Sequence, residues 1–457
     1  MTTMKRREFL TRSAAAGFGS VLGGLKLAIG AREARAEAED YKALVCIFLV
    51  GGLDNHDTII PYDSASFGEF ARIRRDLLLG YAEERTLSTL LPLATPTAQF
   101  GGRQFALPPE MPGLRTLYDG GRAAVLANVG PLLAPVTRQG YEDQSARLPS
   151  RLFSHNDQQA TWMAGAPEGA QFGWAGLFAD ELRSRNSAPE FSAITGGGND
   201  LMVTGRRVAP YQVTELGAVE VDMLERLEDE TLRNAVVAHL GAIPSEERGW
   251  LELDLATAGR RAFDSNAKFN RSIAQAEELT TSFPEEGLGG QLRIVAQAIA
   301  ARSALAVQRQ VFVLSMGGFD THSGQARNLP RLQASLDRGI SAFQRAMDEL
   351  GVSEQVTLFT ASDFGRTLAV NDDGTDHGWG GHHFVVGGAV KGGAIYGDLP
   401  ETTFGHALDA GSGRLIPTLA VEQMAAPLGR WFGLDGDGLA AALPRLGAFT
   451  TPLPGFI

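Results

Sequence analysis

Three histidines and three carboxylates fall within the thirteen residues Asn371-Asp-Asp-Gly-Thr-Asp-His-Gly-Trp-Gly-Gly-His-His383, and the chain has only eight histidines in all. Borderline divalent metals such as zinc take neutral imidazole nitrogen and carboxylate oxygen, and catalytic sites keep one position open for water or substrate. The glycines let imidazoles converge, so Asp376, His377, His382 and His383 are candidate ligands. Asp54, His56 and Asp57 add donors early in the chain, Asp320 and His322 later, and Asp363 later still. This set is enough for two ions. A single histidine in a Gly-rich loop is as well explained by a backbone hydrogen bond, but four separate segments carrying Asp or His are not. His239, on a helix, and His406, in a late loop, lack such company and read as structural or surface residues. Asp157 reads as a first-turn helix carboxylate.

These donors need a frame that delivers them to one place. The apolar runs 43–50, 123–129, 310–316 and 356–361 end in Gly51-Gly-Leu-Asp54, in a loop leading to Ser154-His155, in Gly317-Gly-Phe-Asp-Thr-His322 and in Ser362-Asp363. Short buried strands alternating with long helical stretches predict an α/β fold, a mainly parallel sheet sandwiched by helices. Open sheets of this kind bind ligands at the strands' carboxyl ends, so all four segments point to one edge. Helices are expected over 174–185, 291–304 and 329–350. The last places Leu329, Leu332, Leu336, Ile340, Phe343 and Met347 at steps of three and four, which is a packing face rather than chemistry. The charged stretch 219–289 reads as a helical insertion closed by the linker Phe283-Pro-Glu-Glu-Gly-Leu-Gly-Gly290.

The first 36 residues read as an address. Lys5-Arg6-Arg7-Glu8-Phe9-Leu10 precedes an uncharged small and apolar stretch, and Ala34-Arg35-Ala36 supplies a cleavage site, the order of a twin-arginine (Tat) leader. The stretch is too Gly-rich and short of the about 20 apolar residues a membrane span needs. Cleavage is expected after Ala36, giving a periplasmic or secreted protein that meets the Tat translocase during export and keeps no stable membrane anchor. Removing residues 1–36 takes away seven positive charges (Lys5, Arg6, Arg7, Arg12, Lys26, Arg32, Arg35) and two negative ones (Glu8, Glu33), moving the formal charge from −12 to −17. So acidic a chain is a poor non-specific partner for nucleic acid. Cys46 is the sole cysteine, so no internal disulfide forms; it is expected in the core. The remaining residues, 37–457, suit one large domain, and an apolar content of 44% is enough for its core.

The leader, Gly51-Gly-Leu-Asp54, Gly317-Gly-Phe-Asp-Thr-His322, Ser362-Asp-Phe-Gly-Arg-Thr367 and Gly374-Thr-Asp-His-Gly-Trp-Gly-Gly-His-His-Phe384 together resemble the bacterial domain-of-unknown-function family 1501, a distant relative of alkaline phosphatases and sulfatases. The resemblance implies an alkaline phosphatase-like fold. It makes Asp54 similar to the Asp that binds one metal and Ser154 similar in position to the nucleophile. Asp320 and His322 look like ligands of the second metal. Ser362-Asp363 resembles the step that supplies a further ligand pair, but Phe364 stands where His or Asn is usual. One of His377, His382 and His383 resembles the late histidine of the second site.

The implied function is a metal-dependent hydrolase of phosphate esters, or secondarily sulfate esters. It would use one or two ions, zinc first, with manganese and calcium as alternatives. A metal-activated Ser154 would attack, with Arg366 or Arg151 on the developing charge. Ser154 reads equally as a helix N-cap. An ordinary sulfatase would need Cys or Ser opening Cys/Ser-x-Pro-x-Arg, whereas Arg147-Leu-Pro-Ser-Arg151 opens with Arg. The competing reading is a non-catalytic metal-binding protein of binding or assembly. Phosphate-cradling nucleotide loops rank last, since neither Gly-Gly pair fits those patterns.

Overall fold

A computed structural model describes residues 40–457, except 83–84, 97–98, 198–200, 220–226, 228, 241, 243–248 and 286. Residues 1–36, the expected twin-arginine leader, lie outside the described residues. The chain divides at Tyr41; of the first unit only Asp40 and Tyr41 are described, and Lys42–Ile457 form the other. Among the described residues no helix is long and apolar enough to cross a membrane.

The strands are β1 (Lys42–Leu49), β2 (Ile60–Pro61), β3 (Leu91–Pro92), β4 (Phe105–Leu107), β5 (Ala123–Gly130), β6 (Ala193–Thr195), β7 (Tyr211–Thr214), β8 (Gly217–Ala218), β9 (Arg309–Met316), β10 (Val356–Ser362), β11 (Arg366–Asn371), β12 (Gly374–His377), β13 (Gly381–Gly387), β14 (Ile395–Gly397) and β15 (Leu419–Ala420). Ten of them form the central sheet in the order β14-β5-β13-β10-β1-β9-β6-β7-β8, with β15 also on β5. β2, β4 and β3 make a small second sheet, and β11 and β12 a hairpin. β10-β1-β9-β6-β7 is parallel throughout, whereas β13 runs antiparallel to both β10 and β5. The four apolar runs picked out in the sequence are β1, β5, β9 and β10.

β1 is central because both its faces are covered, which needs a continuous apolar run rather than alternation. Every residue from Ala43 to Leu49 is buried. Leu44, Cys46 and Phe48 share one face and pack into a core with Trp162, Phe178, Met424 and Leu428, from three helices, His155–Ala164, Trp174–Glu181 and Val421–Phe432. Burial pushes the Cys46 thiol pKa up, so the cysteine is an inert core residue. Helix Gln325–Glu349 buries Leu329, Leu336, Ile340, Phe343 and Met347 of the stripe its periodicity predicts, leaves Leu332 half-buried, and packs on helix Leu288–Ala300, which lies against β9. Within 219–289, helices span Glu230–Leu240 and Trp250–Ala274, and Phe269 of the second stacks on Phe191 and Tyr211.

Register is what builds the functional edge. Leu49 of β1 is level with Met316 of β9 on one side and Ser362 of β10 on the other. The segments that follow these three strands therefore emerge side by side. β13 starts at this edge because it runs the other way, with Gly381 paired to Val129 near the end of β5. The thirteen-residue His/Asp stretch is thus not one loop: its first half is the β11-β12 hairpin and its last residues enter the core in β13.

Candidate metal centre

The side chain at the middle of this edge is Asp320. Three imidazole Nε2 atoms converge on its carboxylate: His155 at 3.4 Å from Oδ2, His322 at 3.2 Å and His377 at 3.1 Å from Oδ1. Each ring is backed through its other nitrogen. His155 Nδ1 lies 2.6 Å from Asp363 Oδ2, His322 Nδ1 lies 3.2 Å from Asp376 Oδ1, and His377 Nδ1 lies 2.7 Å from the Phe153 carbonyl oxygen. Carboxylate and carbonyl oxygens only accept, so each ring faces acceptors through both nitrogens, as His377 does with Asp320 Oδ1 and the Phe153 carbonyl; a neutral ring with its proton on Nδ1 would turn its Nε2 lone pair toward Asp320. His155, Asp320 and His377 offer donor atoms that all lie within 4.8 Å of one another.

The chemistry of this donor set fits a divalent cation. Metal–nitrogen bonds of about 2.0–2.1 Å put neighbouring tetrahedral ligands roughly 3.3 Å apart, close to the three Nε2–Asp320 distances. His322 and His377 are nearer, Nε2 to Nε2 at 2.8 Å. That is a hydrogen-bond length, so this pair either shares a proton or opens by roughly half an ångström around an ion.

Electrostatics keep Asp320 ionised. Burial pushes its pKa up, but the hydrogen bond and charge of Arg366, with His322 and His155 nearby, outweigh that and leave it lowered. Arg366 is fully buried and fixed at every nitrogen: Nη1 to Asp320 at 2.8 Å and the Gly51 carbonyl at 3.0 Å, Nη2 to the Thr375 carbonyl, Nε to Thr375 Oγ1 at 3.3 Å. The hydrogen bond to Asp363 leads the causes that raise the His155 pKa, while burial leads those that lower that of His377.

Local sequence explains the convergence. Gly51 has φ +116, and a Cβ there would sit 2.2 Å from the Asp320 backbone nitrogen, so only glycine lets β1's exit pass so close. Its N–H donates to Asp363 Oδ1 at 3.1 Å. His155 and Gln159 lie four apart on one helix face, and Gln159 Nε2 donates to Asp363 Oδ2 at 2.9 Å. Phe364, standing where a ligand is usual, packs its ring against His155 and His377 at 4.9 and 4.5 Å.

The sequence candidates therefore separate. Asp320, His322 and His377 come together; Asp363 and Asp376 stand behind histidines, oxygen to Nδ1. Asp54 lies apart from the cluster. Its Oδ2 accepts from Arg74 Nη1 at 2.7 Å and Gln325 Nε2 at 2.5 Å, and its Oδ1 from the His56 and Asp57 N–H groups. Burial raises its pKa, and Arg74 more than reverses that. His382 and His383 sit inside β13. His382 Nδ1 accepts from the Asn128 N–H at 3.0 Å and His383 packs edge-on to Trp162. Burial holds them neutral, with pKa lowered to about 4 and about 3. His56, bonded to the Gly413 carbonyl at 3.0 Å, is lowered to about 3 for the same cause. Asp57 pairs with Arg85 at 3.3 Å, His239 is exposed, and His406 Nδ1 accepts from Leu408 N–H.

Ser154 occupies the N-cap position of helix His155–Ala164 but makes no capping bond. Its hydroxyl donates to Asp157 Oδ2 at 3.1 Å, with Arg151 Nη1 3.8 Å from the same oxygen. The residue that sequence reasoning passed over is His155. Its signal is a histidine opening the second helix after β5, directly beside the candidate serine.

Among solved structures the chain is similar to PsFucS1 sulfatase from Pseudoalteromonas sp., at 8% identity and TM-score 0.37, covering 89% of this chain and 70% of that one. It is also similar to the alkaline phosphatase from the Antarctic bacterium TAB5, at 10% identity and TM-score 0.30, covering 78% and 94%. No curated protein matches the sequence. Residues 41–442, nearly all of the described chain, match the family described as protein of unknown function (DUF1501), and the chain belongs to that family.

Proposed function

We propose that this protein binds one divalent cation, zinc by donor chemistry, through Asp320, His155 and His377 with His322 beside them, and that it hydrolyses phosphate esters after Tat export to the periplasm. One observation carries the reading: three Nε2 atoms face one carboxylate while every Nδ1 is held by an acceptor. Each ring meets an acceptor at both nitrogens, so a neutral ring leaves one lone pair against an oxygen, and a cation at Nε2 would relieve that. A bound ion would polarise a phosphoryl oxygen and offset its charge.

The chain's own residues have separable parts in this reading. Asp363, Asp376 and the Phe153 carbonyl fix the imidazole orientation. Arg366 is a positioning residue, because all its nitrogens are already committed to Asp320 and the backbone. Ser154 is the nucleophile: its Oγ forms a bond to phosphorus as the bond to the leaving ester oxygen breaks. Its proton passes to Asp157 Oδ2, 3.1 Å away, and from there to the leaving oxygen. Water then attacks phosphorus as the Oγ–P bond breaks, and its proton passes through Asp157 Oδ2 back to Ser154 Oγ, releasing phosphate. Arg151, largely exposed with its Nη1 3.8 Å from Asp157 Oδ2, would meet substrate oxygens. Asp54 is sealed against Arg74, which supports one ion rather than two.

The same sealing favours a second reading, a non-catalytic protein that keeps the ion for structure or binding. Metal analysis of natively purified mature protein, with aryl phosphates and sulfates as substrates, tests both. Stoichiometric zinc with phosphate-ester turnover supports the hydrolase. Zinc without turnover supports the second reading, and absence of metal ends both.

A further inference from the structure

Gln325 opens the helix Gln325–Glu349 and is fully buried, although both ends of its amide are polar. Its Oε1 accepts from Thr321 Oγ1 at 3.0 Å and from Thr375 Oγ1 at 2.7 Å. Its Nε2 donates to Asp54 Oδ2 at 2.5 Å. Thr321 stands between Asp320 and His322, and Thr375 precedes Asp376 and His377. These threonines are also joined directly, Thr375 N–H to the Thr321 carbonyl at 3.0 Å.

One amide oxygen thus ties together the two segments that carry three of the four converging donors. The amide has only one workable orientation. Asp54 accepts and does not donate, so Nε2 must face it and Oε1 must face the two hydroxyls. Asp54 is itself held by Arg74. The buried polar chain Arg74–Asp54–Gln325–Thr321/Thr375 ends on the residues flanking the ligands. Donor positions in metal sites must be kept to about half an ångström, and neighbours that orient ligands carry that precision.

We infer that Gln325 is a further positioning residue of the metal centre, clamping the Asp320–His322 segment to the Asp376–His377 hairpin through Thr321 and Thr375. This rests on the cation reading above. It also gives Asp54 a role, as the anchor that sets the Gln325 amide rather than as a ligand.

The test is calorimetric titration of Zn²⁺ into the metal-free mature protein, at a temperature where circular dichroism shows each variant folded. Gln325→Met keeps the volume and removes the clamp; its zinc Kd should rise about 10–100-fold, the usual effect of losing an orienting neighbour. Thr375→Val should also weaken binding, while Thr375→Ser, which keeps the hydroxyl, should restore it. Because Thr375 Oγ1 also accepts from Arg366, Thr321→Val, which removes only the hydroxyl given to Gln325, decides if Gln325→Met does not fold: a weaker zinc affinity supports the clamp and an unchanged one overturns it. Wild-type binding with unchanged Kd in the folded Gln325 and Thr375→Val variants overturns this inference and leaves the cation reading standing. No zinc binding by wild type overturns both.

Discussion

His155 Nδ1 and Asp363 Oδ2 lie 2.6 Å apart, and this contact, made from a helix start to a strand end, turns the His155 Nε2 toward Asp320. The carboxylate has two further partners, Gly51 N–H and Gln159 Nε2, so it is held as firmly as the ring it holds.

The first prediction concerns this pair. Asp363→Asn keeps the shape but can offer an amide N–H to Nδ1, which would move the imidazole proton to Nε2. Zinc affinity, measured by competition with a chelating dye, should fall about 10–100-fold. An unchanged affinity would mean that His155 is not a ligand.

A second prediction separates stability from chemistry. Arg74 and Asp54 are both sealed from solvent, and removing one partner strands a buried charge. Arg74→Met should cost about 3–5 kcal/mol in urea unfolding, and Arg74→Met with Asp54→Asn should cost less than the sum of the two. A loss under about 1 kcal/mol for Arg74→Met would show that the pair is solvated.

The third concerns acid. His56, His382 and His383 are held neutral by burial, with pKa values lowered to about 3, about 4 and about 3. Below about pH 6.5 the unfolded chain takes up protons that the folded chain refuses, so stability is present above that pH and lost as pH falls toward 4. The slope approaches about 1.4 kcal/mol per pH unit for each histidine. Asp57, Asp337 and Glu422, whose pKa values burial raises, act in the opposite sense. The difference between wild type and His383→Met isolates the His383 share: the variant should lose less stability between pH 7 and 5. Parallel losses would show that His383 is charged in the fold.

Much of this arrangement was legible in the sequence, and the reasons differ by residue. The apolar runs that became β1, β5, β9 and β10 announce themselves because fully buried strands need uninterrupted apolar residues. Asp320, His322 and His377 follow from Gly-rich exits at one sheet edge. What local pattern does not encode is the partner across the fold. Nothing near Asp54 in the chain reveals that Arg74 and Gln325 saturate it. Nothing in Gly-Gly-His-His reveals that β13 begins at Gly381 and carries both histidines inward. His155 escaped for the converse reason: it is turned toward Asp320 only through Asp363, 208 positions away.

Ser154→Ala gives the fourth prediction. The hydroxyl does not cap its helix, so the variant should keep its fold and its zinc while phosphate-ester turnover drops at least about a thousandfold. Retained turnover would remove Ser154 as nucleophile.

The leader gives the fifth. Replacing Arg6 and Arg7 together by Lys should retain the precursor in the cytoplasm, as read by fractionation and immunoblotting, whereas the unaltered chain should reach the periplasm cut after Ala36. Export of the Lys pair at the normal rate would exclude the Tat route.

The central claim is that His155, Asp320 and His377 hold a divalent cation. Elemental analysis of natively purified protein beside His155→Ala and His377→Ala tests it most directly. Wild type should carry close to one zinc per chain and either variant almost none, with all three folded. Metal absent from wild type, or retained undiminished in the variants, would contradict it.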